Sequence, residues 1–335
     1  MTQSKTLMQT LALLLASGAA IAQVSNYEPV TQAMLENPDP ADWLMFSRTY
    51  DAQRYSPLDE INVDNVQGLR LAWTTLLGDG NTETIPLVHG GVMYVVTPGA
   101  LVQALNAATG EVLWRYQRPV STAVGASART KSLAIFDDTI IYTAPDSYVV
   151  GLDARTGELR WETQAGARGH TSGPLVVDGL AISGGACFGN RDNCFIAAHE
   201  VATGKEVWRF YTTAAPGEPG DESWHGASLN NRQASTWGLP GSYDPRHGLL
   251  YWGVANAMPD HRAARHDGDP AGTSISTPAD LYSNSTLALD PKTGALQWYY
   301  QHLPGDDWDL DATHERVLLD TALVPDPRYV KWINP

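Results

Sequence analysis

Cysteine is nearly absent. Only Cys187 and Cys194 occur in 335 residues, seven positions apart, so no Cys-x-x-Cys-His haem-attachment motif is present in this stretch. Charge is sparse at 18%, and positive charge is the scarcer sign: 22 Lys and Arg stand against 37 Asp and Glu, a formal net charge of −15. Such an acidic chain is a poor partner for nucleic acid or for an anionic membrane. Long hydrophobic runs are also lacking. The only concentrated one, Leu11 to Ala16, is too short to span a bilayer. It follows Lys5 and precedes Ala20-Ile-Ala22, a small-x-small pattern. Residues 1–22 therefore read as a cleaved signal peptide rather than an N-terminal anchor, with export to the periplasm, a disulfide-permissive compartment.

What the chain has in quantity is aromatic surface and turns: 11 Trp, 14 Tyr and 30 Gly. The turns recur. Asn106-Ala-Ala-Thr-Gly-Glu-Val-Leu-Trp114, Asp153-Ala-Arg-Thr-Gly-Glu-Leu-Arg-Trp161, Glu200-Val-Ala-Thr-Gly-Lys-Glu-Val-Trp208 and Asp290-Pro-Lys-Thr-Gly-Ala-Leu-Gln-Trp298 share one pattern. Their glycines are spaced 47, 47 and 90 residues apart. Gly248, within Tyr243-Asp-Pro-Arg-His-Gly-Leu-Leu-Tyr251, reads as a degenerate turn in the same phase. A fixed period of this size indicates a repeat architecture. Asp or Asn can bond its own backbone two residues on, and Gly supplies positive φ. Val112 with Trp114, and Leu159 with Trp161, are the expected inward positions.

Before each turn lies a short β-branched or aromatic run: Val92–Val96, Thr139–Thr143, Leu180–Ser183. Several strands per repeat fit a four-stranded propeller blade. The repeat Trp residues are best read as packing between blades. Residues 23–66 form a preamble, in which Asp42–Phe46 reads as an edge strand. Residues 67–335 form an all-β propeller of five or six blades. Leu69-Arg-Leu-Ala-Trp73 ends in Trp like the repeats.

The Trp-docking repeats, the preamble Asp42-Trp with Asp51-Ala-Gln-Arg-Tyr-Ser, and the run Leu69 to Trp73 together resemble the pyrroloquinoline quinone (PQQ)-dependent alcohol dehydrogenases of the methanol and ethanol type. The likeness covers nearly all of 40–335. It implies an eight-bladed quinoprotein propeller, here an N-terminal portion without the terminal blade, with PQQ and a metal ion on its axis. By position, the cofactor residues it implies are Glu83, Lys131 (Arg129 if the loop slips), Thr171, Gly185, Ala186, Ser235 and Trp237. Gly185 and Ala186 suit close approach to a flat ring. The metal residues it implies are Asn256, Asp309 and Asp311, with Asp309 also the catalytic base. Alternation along an extended segment would place Asp309 and Asp311 on one side.

Three departures from the family pattern stand out. Gly125-Ala126 occupies the place of two adjacent bridged cysteines. Val254-Ala255 and Ala257 replace the Gly and Pro that flank the metal-ligating Asn. Cys187 stands where the family has a metal-ligating Glu, and a thiol is a poor ligand for a hard cation. A Cys187–Cys194 disulfide is the simplest reading, a thiolate site the runner-up, and Asp192 a substitute ligand. The loop from Pro259 to about Asn284 carries His261, His266, Asp267 and Asp269 in no familiar ligand spacing and reads as a surface feature. The resemblance implies oxidation of a small-molecule alcohol, a calcium or lanthanide ion and a cytochrome c-type electron acceptor. A homodimer is compatible with it, and the portion present is expected to be inactive alone. The contrasting reading is a non-catalytic propeller scaffold of the outer-membrane assembly type, which would not need Glu83, Asn256, Asp309 and Asp311 together.

Overall fold

The structure is a computed structural model that describes residues 23–121, 129–167, 172–187, 191–268 and 277–320. The first antiparallel sheet is built from β1 (Leu87–His89), β2 (Val92–Thr97), β3 (Leu101–Asn106) and β4 (Val112–Gln117). The second follows with β5 (Leu133–Phe136), β6 (Thr139–Thr143), β7 (Tyr148–Asp153) and β8 (Leu159–Gln164). The third holds β9 (Leu175–Val177), β10 (Leu180–Gly184), β11 (Phe195–Glu200) and β12 (Glu206–Tyr211). A short pair, β13 (Gln233–Ala234) with β16 (Ala257–Met258), flanks the fourth sheet of β14 (Ser242–Asp244), β15 (Leu249–Gly253), β17 (Ser285–Leu289) and β18 (Leu296–Gln301). Each sheet is an up-and-down meander, the connectivity of a propeller blade.

The repeat sequence explains how the blades dock. Asn106 accepts the backbone N–H groups of Ala108 and Thr109, and Asp153 and Asp290 do the same in their turns. Gly110, Gly157, Gly204 and Gly294 sit at φ of 73, 74, 73 and 71°. The face each glycine leaves bare receives the Trp of the preceding repeat. A Cβ on Gly157 would lie 2.5 Å from the Trp114 ring, and one on Gly294 would lie 2.4 Å from that of Trp208. The indole N–H then donates to the turn: Trp114 to the Ala154 carbonyl at 2.9 Å, Trp161 to Val201 at 2.8 Å, Trp208 to Pro291 at 2.9 Å. Trp73 does likewise on the first blade, over Gly110 and onto the Ala107 carbonyl at 3.0 Å. Opposite each repeat Trp on the neighbouring strand is a small residue, Ala104, Gly151, Ala198 or Ala288, followed at once by a β-bulge.

Four such blades are present among the described residues. Gly248 lies in the β14–β15 hairpin, the first connection of a blade, whereas the docking glycines lie in the last. The interval from Gly204 to Gly294 therefore holds one blade with two long insertions, 212–241 and 254–284. Leu159 is 46% exposed rather than inward, because the outermost strand faces solvent. Asp42–Phe46 makes only a single bridge, Trp43 to Val88. The preamble is held instead by Asp42, which accepts from the Gly90 N–H and lies 2.8 Å from buried His89, and by the Tyr50 hydroxyl donating to Val176.

Candidate functional site

Loops before and after the strands of the blades converge on a cleft of about 580 Å³. Its lining includes Glu83, Lys131, Ala186, Ser235, Trp237, Asn256, Asp309 and Asp311, drawn from segments before, between and after the four blades. Arg129, the alternative to Lys131, lines it too. Thr171 and the Gly125-Ala126 pair fall outside the described residues. Gly185 stands behind the lining. A Cβ there would lie 2.5 Å from the Asn193 carbonyl oxygen, so its own blade, rather than a flat ring, demands glycine.

One wall carries the positive charge. The Ile85–Ser132 bridge brings Glu83 beside Lys131, whose side chain is only 8% exposed. Lys131 Nζ lies 3.1 Å from Glu83 Oε2, 3.4 Å from the Trp237 carbonyl and 5.0 Å from the Trp237 ring centre. The ammonium over the indole face is a cation–π contact that holds both side chains at the cleft. Ser235 is a hub for the backbone rather than a free hydroxyl: it accepts from the Cys187 and Trp237 N–H groups and donates to the Gly185 carbonyl.

Cys187 and Cys194 are joined, as expected. The bridge removes Cys187 from the set of free donors, and Cys187 Sγ instead accepts from the Ala234 N–H at 3.2 Å. Asp192 does not line the cleft; Asp260 does. Nothing in the sequence pointed to Asp260, which belongs to the insertion after Asn256.

A second group of lining residues carries the oxygen donors. Asn256 is 4% exposed, and its backbone N–H donates to Asp311 at 3.3 Å. Burial pushes the Asp311 carboxyl above the usual carboxylate range and the Asp309 charge adds to this, while donation from Asn256 and from the Trp237 side chain works the other way. Asp309 has φ of 59°, so the segment is not the extended strand that was expected, yet both carboxylates line the cleft. The turn is organised by buried Asp306, which accepts from the Trp308 and Leu310 N–H groups and from Asn284 Nδ2. Among the described residues no three His, Cys, Asp or Glu side chains converge closely enough to hold an ion alone. Two carboxylates with the Asn256 amide oxygen form an all-oxygen set suited to a hard cation completed by a ligand. The lining as a whole has four carboxylates, Glu83, Asp260, Asp309 and Asp311, against two cations, Arg129 and Lys131.

The described parts of the insertion, 259–268 and 277–284, are packed rather than a surface feature. Arg265 is fully buried and donates to the Pro259, Asp260 and Asp306 carbonyls while pairing with Asp280 at 3.0 Å. His266 lies 3.2 Å from the same carboxylate, and Arg262 grips Asp307. Asp269 falls outside the described residues.

Residues 43–327 match the family described as PQQ: glucose/ethanol/alcohol dehydrogenase, beta-propeller domain. The chain is 35% identical to a quinohemoprotein alcohol dehydrogenase of Pseudomonas putida, over 88% of this chain and 44% of that protein. It is 32% identical to a lanthanide-dependent methanol dehydrogenase of Methylorubrum extorquens, over 92% of this chain and 54% of that one. Among solved structures, a europium-containing methanol dehydrogenase superposes with a TM-score of 0.74 at 29% identity, covering 85% of this chain and 52% of the other. The chain thus spans about half the length of the curated relatives it matches.

Proposed function

The chain belongs to the PQQ-dependent glucose, ethanol and alcohol dehydrogenase β-propeller family, and from that premise we propose that the complete protein oxidises an alcohol to an aldehyde or ketone. The observation that carries this is the convergence of Glu83, Lys131, Trp237, Asn256, Asp309 and Asp311 on one cleft. A scaffold has no need to gather them, and the cleft volume falls in the range of small-molecule sites.

Bound there, PQQ would supply the hydride acceptor, and a calcium or lanthanide ion would supply Lewis acidity toward it. The remaining work belongs to the protein. Lys131 offers N–H donors to an anionic oxygen, and its ion pair with Glu83 keeps the ammonium facing inward. Trp237 gives a flat apolar surface beside that charge. The Asn256 amide oxygen, Asp309 and Asp311 would hold the ion. Asp309 takes the proton of the substrate hydroxyl as general base. Its exposure and the neighbouring open side of the cleft leave it accessible to a small alcohol. Electrons then pass to a cytochrome c-type acceptor in the periplasm, the compartment to which the N-terminal 22 residues would direct the chain.

The test is reconstitution of the full-length protein with PQQ and either calcium or a lanthanide, followed by dye-linked alcohol oxidation. Asp309→Asn should lower kcat by roughly 100-fold or more while PQQ remains bound. Failure to take up PQQ with either ion would favour the scaffold.

A further inference from the structure

Asn256 can present either an oxygen or an NH2 group to the cleft, and only the oxygen can ligate a cation. Which one faces inward depends on what the other end of the amide touches. Its Nδ2 lies 3.1 Å from Asp260 Oδ1, 3.4 Å from the Ala257 carbonyl and 3.8 Å from Met258 Sδ. All three neighbours are acceptors, and an ionised carboxylate cannot donate. Asn256 is 4% exposed and lines the cleft.

The backbone that carries this carboxylate is itself anchored. The Arg265 guanidinium, fully buried, binds the Pro259 and Asp260 carbonyls on one side and the Asp306 carbonyl on the other. It ties the Asn256–Asp260 segment to the turn that presents Asp309.

We propose that Asp260 is a positioning residue: by accepting from Asn256 Nδ2 it locks the amide with its oxygen toward the cleft, ready for a hard cation. This rests on the metal reading of the site. It also gives the 259–268 insertion a task, in a chain whose Cys187 is withdrawn into a disulfide.

The experiment is terbium(III) luminescence titration of the full-length, PQQ-loaded protein, excited through tryptophan. Asp260→Ala should weaken terbium binding by roughly 10- to 100-fold, as loss of a partner that orients a ligand does. Asp260→Asn should lose distinctly less, because its amide oxygen can still accept from Asn256. Equal losses in the two variants would mean that Asp260 acts through its charge or as a direct ligand, and the positioning role would fall. Binding by Asp260→Ala within about 2-fold of native, on the scale of that same expectation, would overturn it too. If the native protein binds no terbium, the metal reading fails. The orientation is then read from the Asn256 side-chain NH2 resonances, which should shift in Asp260→Ala; unchanged resonances would sink the proposal on their own.

Discussion

At the scale of single residues, two titrating groups have opposite consequences. His199 is wholly buried in the third blade, and burial pulls its pKa from 6.5 down to about 4, with Glu206 opposing and Arg209 assisting. The folded protein holds it neutral. Its contribution to stability is therefore complete above pH 6.5 and is lost as pH falls toward 4. A shift of that size corresponds to on the order of 3 kcal/mol. His199→Leu should flatten the decline in melting temperature across that window; an unchanged acid limb would show that other groups set it. Asp311 is the converse case, a carboxyl whose folded pKa is raised, so its ionisation costs stability as pH rises past the unfolded value. A bound cation removes that cost, and a trivalent ion gains more from each carboxylate than a divalent one. Asp311→Ala should thus abolish lanthanide-supported turnover and spare calcium-supported turnover. Equal loss with both ions would assign Asp311 a general role.

At the scale of elements, the docking turn decides both stability and legibility. Gly204→Ala would add a Cβ 2.3 Å from the Trp161 ring at a φ of 73°. Backbone strain and ring displacement together should cost roughly 3 kcal/mol in denaturant unfolding. Gly248→Ala, at φ of 64° with nothing nearby, should cost only the backbone share, roughly 1 kcal/mol. Similar costs at the two sites would refute the packing account. The same contrast explains why the turns are readable in sequence but the place of Gly248 within its blade is not. Gly248 is followed four residues later by Trp252, as each docking glycine is followed by its Trp. Trp252, however, packs on Gly241 beside its own hairpin, and its indole N–H finds no acceptor among the described residues. Turn chemistry is visible in sequence; which hairpin of a blade it closes is a matter of pairing, which sequence does not display. Likewise Lys131 and Trp237 sat in recognisable stretches. Asp260 and Asp306 work through contacts to Asn256 Nδ2 and to backbone N–H groups that only folding creates.

At the scale of the whole molecule, the cleft concentrates four carboxylates against two cations within a chain of net charge −15. A cation held by Asn256, Asp309 and Asp311 would join the loop after β15 to the turn after β18 and would bind only the folded state. With PQQ present, a lanthanide at about 100 times its Kd should stabilise the full-length protein by about 2.7 kcal/mol. The rise in melting temperature should vanish in the Asp309→Ala, Asp311→Ala double variant. A rise that persists in the double variant would place the ion elsewhere. The disulfide adds a second, metal-independent restraint: closing its short loop contributes roughly 2.5 kcal/mol. Unfolded but unreduced protein should show no titratable thiol.

Because each Trp grips only the turn of the next repeat, a pulling force along the chain would meet the blades one after another. Extension should be released in discrete steps of about 16 nm for the 47-residue intervals and about twice that for the 90-residue interval between Gly204 and Gly294. A tether record would then carry the long insertions of the fourth blade as a single oversized rip.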